Sequence, residues 1–367
     1  MKTNPFRFKP IIFAAFMAIA FTRTATATPT FETYHRFPLP ANGAFVVTGT
    51  GLPDGRLLVW NGDNVYLQFS AGADFFPRVA HGYQGDTAFV ALSPDGHTAL
   101  LGQGYAGNLY TFDTAHPADF SPAAIAANVP GHFAGVFLND HLVLLDVGRL
   151  DFSGSELDII DLNTAKSGAK ALSAPVVSKG PQYFHTQKDL VVDKPPFAYS
   201  ASLAVDAQQG IVYAMDGNTR ELRAFNVSAL IAAFNSAATL DWANDGVLIG
   251  AAGDFFTGGV AGVQPNGHIV IGGSKGYTLP GGIQIVDPSP GSPANATVTE
   301  TLDPTGNQDY YYVIYNAYTD AITGITFTGT AYARQETFAP VPAVDAAGVL
   351  ALVASLAFAA WRLRDVR

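Results

Sequence analysis

Apolar and polar positions alternate along most of this chain. Three stretches set the pattern: GLPDGRLLVWNGDNVYLQF (51–69), LSPDGHTALLGQGYAGNLYTFDT (92–114) and GVQPNGHIVIGGSKGYTLPGGIQIVDP (262–288). In each, a Pro-[Asp/Asn]-Gly turn leads into an alternating strand, a Gly/Asn-rich loop and a second alternating strand. A period of two belongs to strands, and the turns close tight hairpins because proline presets φ and glycine accepts positive φ. Weaker copies lie at 137–164, 203–227 and 302–330. Helical periodicity is convincing only in NVSALIAAFNS (226–236), for which Ser228 is the expected cap.

Repeats of about 43 residues with three or four strands each predict an all-β fold, a single β-propeller. The turn anchors fall at Pro53, Pro94, Asn139, near Gln208, Pro265 and Pro304. Pro53 to Pro304 holds roughly six intervals of 42 residues, which predicts seven blades, one of them hidden in the wide gap after Asn139. Six blades with insertions at 165–200 and 229–260 is the alternative. The segment FETYHRFPL (31–39) precedes the first repeat and is expected to form the outer strand of the last blade, closing the ring and removing its open edge.

In such a repeat the Pro-Asp-Gly turns share one face, and the Gly/Asn-rich loops share the other. The loops include 61–64, 102–108, 146–155, 216–220 and 272–282; blade connections are expected to include 72–82 and 251–262, which share Asp-Phe-Phe. That shared motif reads either as a structural corner, with Phe between blades, or as part of a ligand site. Tyr105, Arg220, Lys275 and Tyr277 follow their turns by similar distances, so they are expected on one face as candidate ligand contacts. His81 and His132 join them as histidines able to face the channel. Each also has a structural reading: packed tyrosines, cations paired to Asp, and hydrogen-bonded histidines.

The chemistry is otherwise sparse. No His-x-His or His-Glu-x-x-His spacing announces a metal site, and no Gly-x-Ser-x-Gly elbow announces a nucleophile. No catalytic residue and no cofactor is assigned; Asp146, Asp151 and Asp158 could hold a structural calcium ion. His97, His141 and His268 occupy equivalent turn positions, which points to repeat structure. YAGNLY and DYYYVIYNAY are aromatic-rich and suit either contact with carbohydrate or protein, or inward packing.

The two ends differ from the middle. Lys2, Arg7 and Lys9, an apolar run from Ile11 to Phe21 and Ala25-Thr26-Ala27 follow the order of a secretory signal peptide, so 1–27 is expected to be removed. An uncleaved membrane helix is the other reading, but the apolar run is short for a span. Residues 28–338 form the expected propeller domain. In 339–367, Val341-Pro342 precedes sixteen uncharged residues, Ala346 to Trp361, and then Arg362, Arg364 and Arg367. That tail reads as a transmembrane helix with its arginines on the cytoplasmic side. A C-terminal core helix is the bland alternative.

Cysteine is absent, which removes thiol chemistry and disulfides, and a core of this size does not need them. Of 20 basic and 30 acidic residues, seven basic and two acidic ones lie in the ends, leaving 13 against 28, a net of −15. Such a surface repels phosphate backbones and makes nucleic acid an unsuitable partner.

Two resemblances extend this reading. The SPDG…NLYTFD pattern resembles the secreted bacterial propellers of the YVTN and lactonase-like group, which speaks for architecture. The Val341-Pro342 motif, apolar helix and terminal arginines resemble PEP-CTERM-type sorting signals of Gram-negative bacteria, although Val-Pro-Ala-Val-Asp stands where Val-Pro-Glu-Pro is usual. This resemblance implies an exosortase-type processing enzyme as partner, export across the inner membrane, and a cell-envelope, cell-surface or released location. The expected function is non-enzymatic binding of a glycan such as an extracellular polysaccharide, a matrix polymer or an envelope protein. The alternative is a secreted hydrolase or lactonase working at the channel mouth. A cluster of carboxylate, Asn or His side chains there would favour the enzyme; a lining of aliphatic residues and glycine would favour the binder.

Overall fold

One local device recurs in every repeat. An Asp or Asn side chain accepts a hydrogen bond from the backbone N–H two residues on: Asp54 from Arg56, Asp95 from His97, Asn139 from His141, Asp206 from Gln208, Asn266 from His268 and Asn316 from Tyr318. These Asx turns reverse the chain between the two innermost strands of each blade. Gly96 completes its turn at φ 75°, and Asp320 takes the same left-handed region at φ 52° in the last repeat. The last anchor is therefore Asn316, not Pro304, which lies outside the described residues.

The computed structural model describes residues 34–40, 47–83, 87–116, 125–148, 155–179, 202–216, 221–251, 259–276, 279–288, 297–302, 310–326 and 329–334. They fall within one unit, Phe31–Arg334. The expected leader and sorting tail lie outside them. Among the described residues no helix is long and apolar enough to cross a membrane.

The fold is an all-β propeller of six blades. After β1 (Tyr34–Pro38), blade 1 holds β2 (Thr48–Gly51), β3 (Leu57–Trp60), β4 (Asn64–Leu67) and β5 (Arg78–His81). Blade 2 holds β6 (Phe89–Leu92), β7 (Thr98–Gly102), β8 (Asn108–Asp113) and β9 (Ile125–Asn128). Blade 3 holds β10 (His132–Phe137), β11 (Leu142–Gly148), β12 (Ser155–Asp161) and β13 (Ser173–Ser178), with α1 (Leu162–Lys166) between the last two. Blade 4 holds β14 (Ser202–Asp206), β15 (Ile211–Met215) and β16 (Glu221–Asn226); α2 (Val227–Ser236), β17 (Leu240–Asp241) and α3 (Trp242–Asp245) then intervene before its outer strand, β18 (Val247–Ala251). Blade 5 holds β19 (Gly259–Val263), β20 (Ile269–Gly276), β21 (Leu279–Asp287) and β22 (Thr297–Leu302). Blade 6 holds β23 (Tyr310–Asn316), β24 (Ala321–Thr326) and β25 (Thr330–Arg334), and β1 pairs antiparallel with β25 as its outer strand. The ring closes through the N-terminal strand, as its position before the first repeat predicts.

The expected seventh blade is absent from the ring. The inner strand β10 packs directly on β14, so no inner strand stands between blades 3 and 4. A second long interval is taken up by α2, β17 and α3, and β17 adds a fifth strand to blade 3 by pairing parallel with β13. Counting residues between turns overestimates blades when an insertion lends its strand to a neighbour. The helix at 227–236 forms, with Asn226 rather than Ser228 at its N-cap position.

Burial explains the strand patterns. Six apolar clusters fill the six seams between adjacent blades. In β11, Leu142 and Leu144 enter the seam with blade 4, while Val143, Leu145 and Val147 enter the seam with blade 2. A strand buried on both faces reads as a nearly continuous apolar run, and each fully buried Leu or Val side chain contributes about 1.5–3 kcal/mol.

Candidate functional site

The six inner strands bring small residues to the axis. Gly135 of β10 lies against the Phe89 ring of blade 2, and Gly262 of β19 lies against the Tyr315 ring of blade 6; a Cβ at either would collide with that ring. Close approach of this kind is a reason for glycine inside a strand. It leaves a central cavity of about 320 Å³, bounded by all six inner strands.

Its described lining is Gly, Ala, Ser, Thr, Val, Leu, Ile, Pro, Phe and Tyr, with no Asp, Glu, His, Lys or Arg. The tyrosines all come from blade 6: Tyr311, Tyr312, Tyr315 and Tyr318. The run DYYYVIYNAY divides its aromatics by strand alternation, since Tyr310 is buried in the seam with blade 5. Tyr312 packs against the blade 6–blade 1 seam and hydrogen-bonds the Val90 backbone of blade 2; burial pushes its hydroxyl up to about 12, opposed by that bond. Tyr318 makes a second bridge, its hydroxyl donating to the Pro94 carbonyl at 3.1 Å. Blade 6 thus reaches over blade 1 to blade 2 at two levels of the channel.

The Asx turns lie together around one mouth. A Cβ at Gly55 would touch Ala71 (3.3 Å) and Thr319 (3.4 Å), a Cβ at Gly96 would meet Pro53, and Gln264 donates to Asp320 across blades 5 and 6. The residues at 72–77, expected in a blade connection, belong instead to the β4–β5 turn on this same face. There the Asp-Phe-Phe motif splits: Phe76 is buried between blades 6 and 1, while Phe75 is 61% exposed. The second copy, 254–256, lies outside the described residues.

The opposite face carries Tyr105, His132 and His81. Tyr105 sits in a 3-10 turn, Gly104–Ala106, half-buried edge-on against Phe133 at 5.0 Å. His132 begins β10 and is fully buried: its Nδ1–H donates to the Val129 carbonyl at 2.6 Å, and its Nε2 accepts from the Gly104 N–H at 3.1 Å. Burial lowers its pKa to about 4, with the Val129 carbonyl opposing. His81 ends β5 with its side chain exposed. Arg220 and Tyr277 lie outside the described residues; Lys275 is on β20, and its side chain lies outside them. The chain therefore brings Tyr105 and His132 close, through Gly104 and Phe133.

One cluster went unread in the sequence. Lys179, immediately after β13, is fully buried; its Nζ donates to Asp146 Oδ1 and Oδ2 at 2.7 and 2.9 Å and to Asp216 Oδ2 at 3.3 Å. The ammonium also stands 4.9 Å from the centre of the Trp242 ring. Burial raises the Asp146 carboxyl to about 6, with Lys179 opposing. Burial works against the Lys179 charge, and the two carboxylates outweigh it, so its pKa is raised. Trp242 is held by its own bond to Glu221 at 3.1 Å, and Arg223 pairs with Glu221 while capping the Ala243 and Gly246 carbonyls. Of the three aspartates offered to calcium, Asp146 is neutralised by an ammonium, Asp158 is buried in β12, and Asp151 lies outside the described residues. Among the described residues no group of three or more His, Cys, Asp or Glu stands together as a metal site. In LDVG, VSKG and MDGN nothing announces an ion cluster, because the partners lie 33 and 37 residues apart.

No family profile matches the chain, and no curated protein matches it either. Solved structures are similar in fold. A gluconolactonase of Xanthomonas campestris aligns with TM-score 0.53 and 8% identity over 84% of this chain and 92% of its own. A luciferin-regenerating enzyme aligns at 0.51 and 10% over 83% and 96%, and a chain of a mitotic checkpoint complex at 0.50 and 12% over 84% and 97%. At such identity the likeness shows the propeller alone, and fold does not give function.

Proposed function

We propose that the chain is an exported, non-enzymatic propeller that binds a glycan, a matrix polymer or an envelope protein. The observation that carries this reading is the channel: a wall of glycine, aliphatic, phenylalanine and tyrosine residues with a few Ser and Thr hydroxyls, and no ionisable side chain other than tyrosine among the described lining. Proton transfer or metal-assisted hydrolysis needs such groups within hydrogen-bond reach of the reacting atoms. Neutral aromatic and backbone groups suit recognition of a polar ligand. The tail reading adds delivery: an exosortase-type enzyme acting at Val341-Pro342, with Arg362, Arg364 and Arg367 holding the helix end at the cytoplasmic side. Tyr105, Arg220, Lys275, Tyr277, His81 and His132 remain the proposed contacts of the loop face. Lactone hydrolysis is the competing reading, from the lactonase-like names among proteins of similar fold. Retention of the purified chain on immobilised envelope polysaccharides and envelope proteins tests the proposal. Saturable retention competed by free polymer is expected; retention by none of them would remove the reading.

A further inference from the structure

The exposed aromatics of the described surface gather in one place. Phe69 (69% exposed) and Phe75 (61%) occupy the β4–β5 turn with ring centres 6.2 Å apart. Tyr318 (48%) lies in the β23–β24 turn. Small side chains stand between them: Ala71 and Thr319 both border Gly55, and Pro53 borders Gly96 beside the Tyr318 hydroxyl. The row runs over blade 1 from the rim toward the channel mouth, where Pro94 and Tyr318 line the cavity. The other large exposed apolar residues, Leu172, Val247 and Val298, stand singly on blades 3, 4 and 5.

Exposed aromatic surface that no core requires marks an interaction site. Its form is a narrow row between small residues, not the broad apolar face of about 800 Å² per partner that a protein interface needs. A linear chain of sugar rings fits such a row, with the apolar faces of the rings on the aromatic planes. Charge narrows the choice further. Exposed carboxylates flank the row at Asp54, Asp74 and Asp95; of the cations beside it, Arg56 is bound to Asp54 at 2.6 Å, Lys166 acts on Asp95, and exposed Arg78 begins β5. A sugar carrying ammonium groups gains from the carboxylates and from the aromatic faces, which attract cations.

We infer that Phe69, Phe75 and Tyr318 form the platform for a linear amino-sugar polymer with free amines, leading to the channel mouth. This deepens the binding reading and rests on it, and it places the ligand on the Asx-turn face instead of the loop face. The test uses the full chain in mild detergent and three probes: a β-linked glucosamine oligomer, its fully N-acetylated form, and a polylysine of equal charge. The oligomer with free amines should bind about ten-fold or more tightly than the acetylated one, and F69S/F75S/Y318S should weaken it by a similar factor at an unchanged melting temperature. Should the triple variant melt early, Phe75→Ser alone reports, since that ring is exposed; it should weaken binding several-fold. Unchanged binding by the variants, or no preference for free amines, overturns the platform. So does tighter binding of polylysine through the same three residues, which would make the partner a basic protein. If the unaltered chain is retained by envelope polysaccharide but ignores glucosamine, this inference fails and the binding reading stands. If it is retained by nothing, the binding reading itself falls.

Discussion

The seam between blades 3 and 4 and the seam between blades 6 and 1 solve one problem by different chemistry. Both must join two sheets. At blades 3 and 4 the joint is ionic and dry: Lys179 is bound to Asp146 and Asp216 beneath Trp242, and the insertion that carries Trp242 also lends β17 to blade 3. At blades 6 and 1 the joint is neutral, with Tyr312 and Ile314 against Val59 and Leu57, and Tyr312 and Tyr318 reaching on to blade 2. The ionic seam carries the titratable chemistry and is buried; the neutral seam opens on the channel and on exposed aromatics. Perturbed ionisable groups often mark active sites. Here the perturbed cluster is buried as a clasp between two blades, and the surface proposed to face a ligand lies at the seam without charge.

The two seams should therefore break differently. Lys179→Met leaves two carboxylates buried together and should cost about 3–5 kcal/mol, read as a lowered denaturation midpoint. Little change would mean that the clasp does not hold the seam.

His132, in the seam between blades 2 and 3, gives a pH test. Its folded pKa is depressed to about 4 from 6.5, so its contribution is present above pH 6.5 and is lost as pH falls toward 4. The full loss is about 3 kcal/mol. His132→Gln should flatten stability between pH 6.5 and 4, measured by denaturant titration. Asp146 has the opposite sign: its folded pKa is raised to about 6, so its own contribution is present below pH 4 and is lost as pH rises to 6. A profile for the His132 variant as steep as that of the unaltered protein would contradict the burial assigned to this ring.

Gly135→Ala should cost about 1–3 kcal/mol, because the added methyl meets the packed Phe89 ring. Tyr312→Phe removes one hydrogen bond from the neutral seam and should cost about 1 kcal/mol, with ring closure retained. A loss as large as that of Lys179→Met would erase the contrast between the seams.

The strand alternation and the turn residues made the propeller and its N-terminal closing strand legible, because burial between blades and Asx turns are local signals. Blade number was not, because the wide interval after Asn139 and the insertion carrying α2, β17 and α3 lengthen the spacing between turns without adding a blade. The 227–236 helix was visible, but β17, two residues long and paired with a different blade, left no periodicity to read. The ion pair of Asp146 with Lys179 is not legible in the sequence, since the two meet only through the pairing of β11, β12 and β13. The tyrosines of DYYYVIYNAY were visible as a run, while their division between seam and channel needed the register of β23.

The account stands on binding without turnover, and one measurement addresses it directly. The full chain is incubated with the envelope polymer that retains it and with a panel of sugar and aliphatic lactones, and released products are followed by mass spectrometry over several hours. The account predicts retention of the polymer and no product above the rate without protein. Product formation that disappears on heat denaturation would contradict it and make the channel an active site.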